Sequence, residues 1–203
     1  MVTKLHLYGS DDLSIRDVNP IGTDYIVDLS YFISNGDFDI VAEGSTITLA
    51  ERIKNWNADI KSSQVHYTNL VAARASRTAQ KLAEEAELSS LKSELEVLTA
   101  QQSVTIQAIA LEKTSAGKAS QQEQLDEINR QIDEKKSEIS AQEAVISRLQ
   151  SEIDQYMDNI EAIVDTLSIS KYFTTAEQKI LNLYLIEGEV VDETFVATDV
   201  DTS

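Results

Sequence analysis

Two histidines, His6 and His66, and a surplus of carboxylates are the groups of this chain best suited to acid–base or metal chemistry. Their spacing argues against both. His6 sits in a short alternating segment, and His66 lies in a long stretch free of Pro and Gly, neither with a second ligand at metal-binding spacing. Asn35-Gly36-Asp37-Phe38-Asp39 and Asp199-Val200-Asp201 resemble pieces of calcium loops but lack the remaining ligands and the closing Glu. No GxGxxG, P-loop or GxSxG pattern occurs, and with no cysteine there is no thiol nucleophile, disulfide or thiolate metal site. Seventeen Lys and Arg face 35 Asp and Glu, a net charge of −18, with no basic cluster able to neutralise phosphates. The expectation is a protein that is not an enzyme, takes no cofactor or metal, and does not bind nucleic acid or anionic membrane.

The elements that carry these residues follow from patterning. Met1 to Leu7 alternates polar and apolar residues rather than forming an apolar signal-peptide core, and no run reaches membrane-spanning length, so the chain reads as soluble with no signal peptide or transmembrane segment. Residues 1–44 read as a small β segment. Its strands are Lys4–Tyr8, Leu13–Val18, Tyr25–Leu29 and Phe38–Val41, divided by Gly9–Asp12, Asn19–Gly22 and Asn35–Asp37. Residues 45–169 read as helix, entered through a Thr48/Glu51 capping box, broken at about 114–120 around Gly117, and restarted by Ser120-Gln121-Gln122-Glu123. Residues 170–203 read as a short helix opened by a Thr174/Glu177 box, then an acidic extended tail returning to the base.

The returning helix carries the strongest pattern. Heptad a positions fall on Leu125, Ile132, Ile139, Ile146, Ile153, Ile160 and Leu167, and d positions on Ile128, Lys135, Gln142, Leu149, Tyr156 and Ile163. A seven-residue period sustained this long implies a left-handed supercoil against another helix. The short break selects the outgoing helix of the same chain as that partner, because brief connections join antiparallel neighbours. Folding about Gly117 sets Ile128 opposite Ile106, Leu125 opposite Ile109, Ile139 opposite Leu95 and Ile146 opposite Leu88. Lys135 and Gln142 at d positions would control register. Leu49, Ile53, Trp56 and Ile60, beyond the paired stretch, should pack the base. The fold class is therefore α+β, mainly α: a long antiparallel coiled-coil hairpin inserted into a small β-containing base.

The flanks add a resemblance. Leu7-Tyr8-Gly9, Leu13-Ser14-Ile15, Asp17-Val18-Asn19, Gly22-Thr23-Asp24-Tyr25-Ile26 and Asp28-Leu29-Ser30-Tyr31-Phe32 precede the hairpin. Tyr172-Phe173-Thr174, Leu181 to Gly188 and Asp192-Glu193-Thr194-Phe195-Val196 follow it. In order and spacing they resemble the tail-tip proteins of siphophages and prophages, the tail-associated or "prophage tail endopeptidase" family, in which a coiled-coil insertion often separates such flanks. The resemblance implies a virion component at the tail tip or baseplate hub. It would be a homotrimer, with other phage tail proteins as partners, no membrane insertion, and contact with the host cell surface. It carries over no catalytic residue. The alternative is a prefoldin-like coiled-coil chaperone or another coiled-coil scaffold protein, against which the small, polar Thr114–Gln122 tip argues.

Overall fold

A computed structural model of the chain describes residues 2–9 and 15–192. In order along the chain come β1 (Lys4–Gly9), a 3-10 turn (Ile15–Asp17), β2 (Tyr25–Val27), α1 (Ser30–Ser34) and α2 (Leu49–Leu111). They are followed by α3 (Ser115–Leu167), α4 (Ile169–Tyr172), α5 (Thr175–Tyr184) and β3 (Glu187–Asp192). The architecture is mainly helical, two long helices packed against each other and a three-stranded sheet. The chain divides into two compact units: the part up to Ala73 together with that from Tyr156 onward, and Arg74–Gln155.

In the first unit β1 is the central strand, antiparallel to β2 and parallel to β3. The register sets Lys4 opposite both Val27 and Glu187, and the Lys4 ammonium reaches the Glu187 carboxylate at 2.8 Å. That hydrogen bond raises the lysine pKa and lowers that of Glu187. The stretch expected as an acidic extended tail returning to the base begins as a strand, because β1 offers its second edge to it. Glu193–Ser203, including Asp199 and Asp201, lies outside the described residues, as do Leu13 and Ser14.

Two expected strands are something else. Ile15–Asp17 is a 3-10 turn, and Phe38–Val41 forms no strand. The Phe38 and Ile40 carbonyls instead accept from the Ala50 and Leu49 amides (both 2.9 Å), while Thr48 Oγ1 accepts from the Glu51 amide at 3.2 Å. Two of the orphan donors at the start of α2 are thus satisfied by the segment expected to join a ladder, and a third by Thr48. Tyr25–Leu29 keeps only its first three residues as strand, since Leu29 is drawn into the core ahead of α1.

Leu49, Ile53 and Trp56 on α2 are buried with Phe38, Leu167, Phe173 and Leu181, and Ile60 and Ile163 pack on this cluster. The Trp56 indole N–H donates to the Leu167 carbonyl at 2.7 Å, satisfying one of the acceptors left over at the end of α3, and the ring stands edge-on to Phe173. Phe38 and Phe32 each meet the Tyr184 ring at 4.8 Å, holding α5 to the N-terminal segment. Gly22, at φ 69°, admits no side chain, because a Cβ there would lie 2.8 Å from the Val164 methyls.

The second unit consists of the parts of α2 and α3 between Arg74 and Gln155, side by side, and the turn between them. That turn is 112–114, not 114–120. The Glu112 carboxylate accepts from the Lys113 and Thr114 amides and the Thr114 hydroxyl (2.8–2.9 Å). Thr114 Oγ1 in turn accepts from the Gly117 amide at 3.1 Å, which is N-cap geometry. Gly117 thus lies inside the first turn of α3, and α3 runs straight through Ser120–Glu123. What Gly117 supplies is room: a Cβ there would come within 2.6–2.7 Å of the Glu112 and Thr114 side chains that make the cap.

A pH dependence follows. The Thr114 amide and hydroxyl, then the Lys113 amide, hold the Glu112 pKa below its ordinary 4.5. A depressed carboxylate pKa contributes stability that is present above the unfolded value and lost as pH falls through the folded one. The Thr114 amide resonance should therefore titrate below pH 4.5, and Glu112→Gln should abolish that titration. A Thr114 amide indifferent to acid would contradict the cap.

Candidate functional site

Within the second unit the expected seam residues sort by burial. Ile132, Ile139, Leu149 and Ile153 are buried, joined by Leu91 of α2. Leu88, Leu95, Ile109, Leu125, Ile128 and Ile146 are half-buried. In the first unit Tyr156, Ile160 and Ile163 are half-buried as well. Ile106 is not on the seam; it is 50% exposed. Covered positions of α2 run 88, 91, 95, 98, 102, 105, 108 and 109, so Gln102 and Thr105 stand where Ile106 is expected, and Ile106 points about 100° away from Thr105.

Polar contacts fix the register and explain the displacement. Gln102 donates to Asn129 (2.6 Å), Lys135 reaches Glu94 (2.8 Å), Gln142 donates to the Glu84 carbonyl (3.1 Å), and Arg77 pairs with Glu152 (2.8 Å). A fold about Gly117 would have put Asn129 opposite residue 105 and Lys135 opposite residue 99. The observed pairings are displaced by three residues at Asn129, five at Lys135 and Glu152, and eight at Gln142, one to two helical turns, because the chain reverses at 112–114. Lys135 and Gln142 each find a partner on α2 that a slipped pairing would remove. Glu138 and then Glu94 raise the Lys135 pKa, so it stays charged.

In the first unit the polar groups are consumed by structure. Glu177 is fully buried; its carboxylate accepts from the Thr174 amide (2.8 Å), its amide donates to the Thr174 hydroxyl, and Arg52 lies 3.4 Å away. Arg52 also donates to Ser45 Oγ at 3.3 Å, so the loop before α2 is tied through α2 to the start of α5. Sequence reasoning found this capping box but not its partner, since Arg52 and Glu177 are 125 residues apart. Tyr172 donates to Asp59 at 2.5 Å, and burial, with that bond, pushes its pKa up to about 12, leaving a neutral hydroxyl at physiological pH. His6 lies 3.5 Å from Asp24 and 5.3 Å from the Tyr25 ring. His66 is exposed on α2. Among the described residues no group of three or more His, Cys, Asp or Glu side chains is placed to hold a metal, and no helix is long and apolar enough to cross a membrane.

The outer edge of β3 has no strand beside it among the described residues, and the sheet draws its strands from both sides of the helical excursion. No protein-family model matches this chain, and no curated protein or solved structure matches it significantly.

Proposed function

We propose that this chain is a structural, non-catalytic interaction module of a phage tail tip or baseplate hub. The base joins other tail proteins and the helical hairpin serves contact with the host surface. The observation that carries the reading is the pairing of β1 with β3 over six residue pairs. The two stretches that resemble tail-tip proteins lie on either side of the hairpin in sequence, and here they share one sheet and one core. Tyr25 and Ile26 lie in β2, and Phe173 and Leu181 in the cluster around Trp56. A flank-plus-insertion organisation of that family requires such convergence. The open edge of β3 supplies backbone donors and acceptors to which a neighbouring protein's strand can add.

The division of labour is testable in the phage or induced prophage that encodes the chain. Removing residues 74–155 and closing Ala73 to Tyr156 with a short turn should leave tails that assemble and carry the protein at the distal end, seen by electron microscopy with a labelled antibody. Adsorption to the host should fall. Infectious particles without the protein, or tails that never terminate when only the hairpin is removed, would refute the assignment.

A further inference from the structure

A cleft of about 390 Å³ opens between the first third of α2, the end of α3 and α4, at the small end of ligand sites, which run about 300–1,000 Å³. Its floor is apolar, with Ile163 half-buried and Leu167 buried. Its polar walls come from Asp59 and Ser62 on α2, Thr166 on α3 and Tyr172 on α4. The hydrogen bonds of these four decide what the cleft can hold. Ser62 gives its one hydroxyl proton to the Asp59 carbonyl (3.0 Å), Thr166 gives its own to the Ala162 carbonyl (2.7 Å), and Tyr172 gives its own to Asp59 Oδ2 (2.5 Å). What the three hydroxyls still offer an occupant is lone pairs. Asp59 Oδ1 has no partner among the described residues, and of the lining side chains only Ser63 keeps a hydroxyl proton outside these bonds. Burial, with the bond to Asp59, pushes the Tyr172 pKa up to about 12, so Tyr172 remains a donor that fixes the carboxylate.

We propose that this cleft takes the side chain of a lysine from a partner protein, its stem on Ile163 and Leu167 and its ammonium on Asp59. Walls of acceptors with one carboxylate call for a cation rich in donors, and an apolar floor calls for an aliphatic stem, which are the two halves of a lysine. A calcium ion would need about six to eight oxygen ligands, and among the described residues no cluster of carboxylates supplies them. The Tyr172 bond chooses between the two basic side chains. A guanidinium pairs best with both oxygens of a carboxylate, and one oxygen here is taken; an ammonium can give one proton to Asp59 Oδ1 and others to the Ser62 and Thr166 hydroxyl oxygens. Arg52, whose charge acts on Tyr172, is held by Glu177 and Ser45 and does not line the cleft. The net charge of −18 draws a basic partner to the chain.

The inference goes beyond the tail-tip reading and stands without it. Its test is a titration of the full chain, followed by NMR, with N-acetyl-lysine methylamide as the probe. The amides of Ser62, Ser63, Thr166 and Tyr172 should shift saturably in the millimolar range. The corresponding norleucine probe, which lacks the ammonium, should bind at least tenfold more weakly, and the arginine probe more weakly than lysine. Asp59→Asn still accepts from Tyr172, so the tie between α2 and α4 survives and the melting temperature should not move, yet the lysine probe should bind at least tenfold more weakly. Thr166→Val, at an exposed position of α3, removes one acceptor and should weaken the probe about threefold. No saturable shift at the cleft, norleucine or arginine binding as tightly as lysine, or Asp59→Asn binding as the wild type does would overturn the proposal. So would binding of n-butylammonium without binding of the acetylated lysine, since the cleft would then take a free amine and not a protein side chain. None of these results would touch the role of the base.

Discussion

Replacing Trp56 with Ala should cost the first unit about 3–5 kcal/mol, the range for truncating a large buried aromatic side chain. Trp56 is 2% exposed, and it touches both ends of the core: its ring lies against Phe173, and its N–H holds the Leu167 carbonyl at 2.7 Å. The loss therefore combines a cavity with a buried acceptor left unpaired, which by itself costs about 1–3 kcal/mol. Trp56→Phe separates the two, since it keeps most of the volume and loses the donor, and should fall within that smaller range. Urea unfolding followed by the near-ultraviolet dichroism of the remaining aromatics would measure both. A midpoint unchanged in Trp56→Ala would mean that the core around Leu49, Ile53 and Leu181 does not depend on this residue, contrary to its position.

In the second unit the corresponding change is Leu149→Asp. Leu149 is 4% exposed at a d position, between the half-buried Ile146 and the buried Ile153 at a positions. A carboxylate there loses the packing of a leucine and must be desolvated or force the helices apart, a penalty on the order of 3–5 kcal/mol. Helical dichroism of this variant should melt at a lower temperature than that of the wild-type chain. The same substitution at Val104, exposed on α2, should barely move the melting curve, so the pair of variants distinguishes the seam from the exposed side of α2. Equal effects at both sites would show that the seam has been assigned to the wrong face.

The helices themselves were legible because an aliphatic residue every seventh position leaves few alternatives to a supercoil, and Leu125, Ile132, Ile139 and Ile153 carry that signal without help from the rest of the chain. The register was not. Glycine is the usual mark of a helix end, and Ser120-Gln121-Gln122-Glu123 carries a stronger local start signal than Thr114. The break therefore read as centred on Gly117, when the cap at Thr114 works through Glu112, a residue before it in sequence. Moving the centre of the turn from 117 to 113 displaces the cross-pairs by one to two helical turns, which is why Ile106 reads as opposite Ile128 and is instead exposed. In the base the limits were of range. Phe38 reads as a strand residue because a short apolar run looks the same whether its carbonyls join a ladder or cap a helix, and the choice was made by Leu49 and Ala50 downstream. β3 was read as an acidic tail because its strand character comes from pairing with Lys4–Gly9 at the far end of the chain, and no local pattern reports a partner some 180 residues away.

The central claim is that one chain folds back on itself at 112–114, bringing Gln102 against Asn129. Because the protein has no cysteine, paired substitutions report this directly. Under dilute oxidising conditions Gln102→Cys/Asn129→Cys should form a disulfide within one chain, read as a faster-migrating monomer on a non-reducing gel, and Ile106→Cys/Ile128→Cys should form it far less readily. Crosslinks only between chains would replace the hairpin by a bundle of separate molecules, and efficient closure at 106/128 in place of 102/129 would return the turn to Gly117.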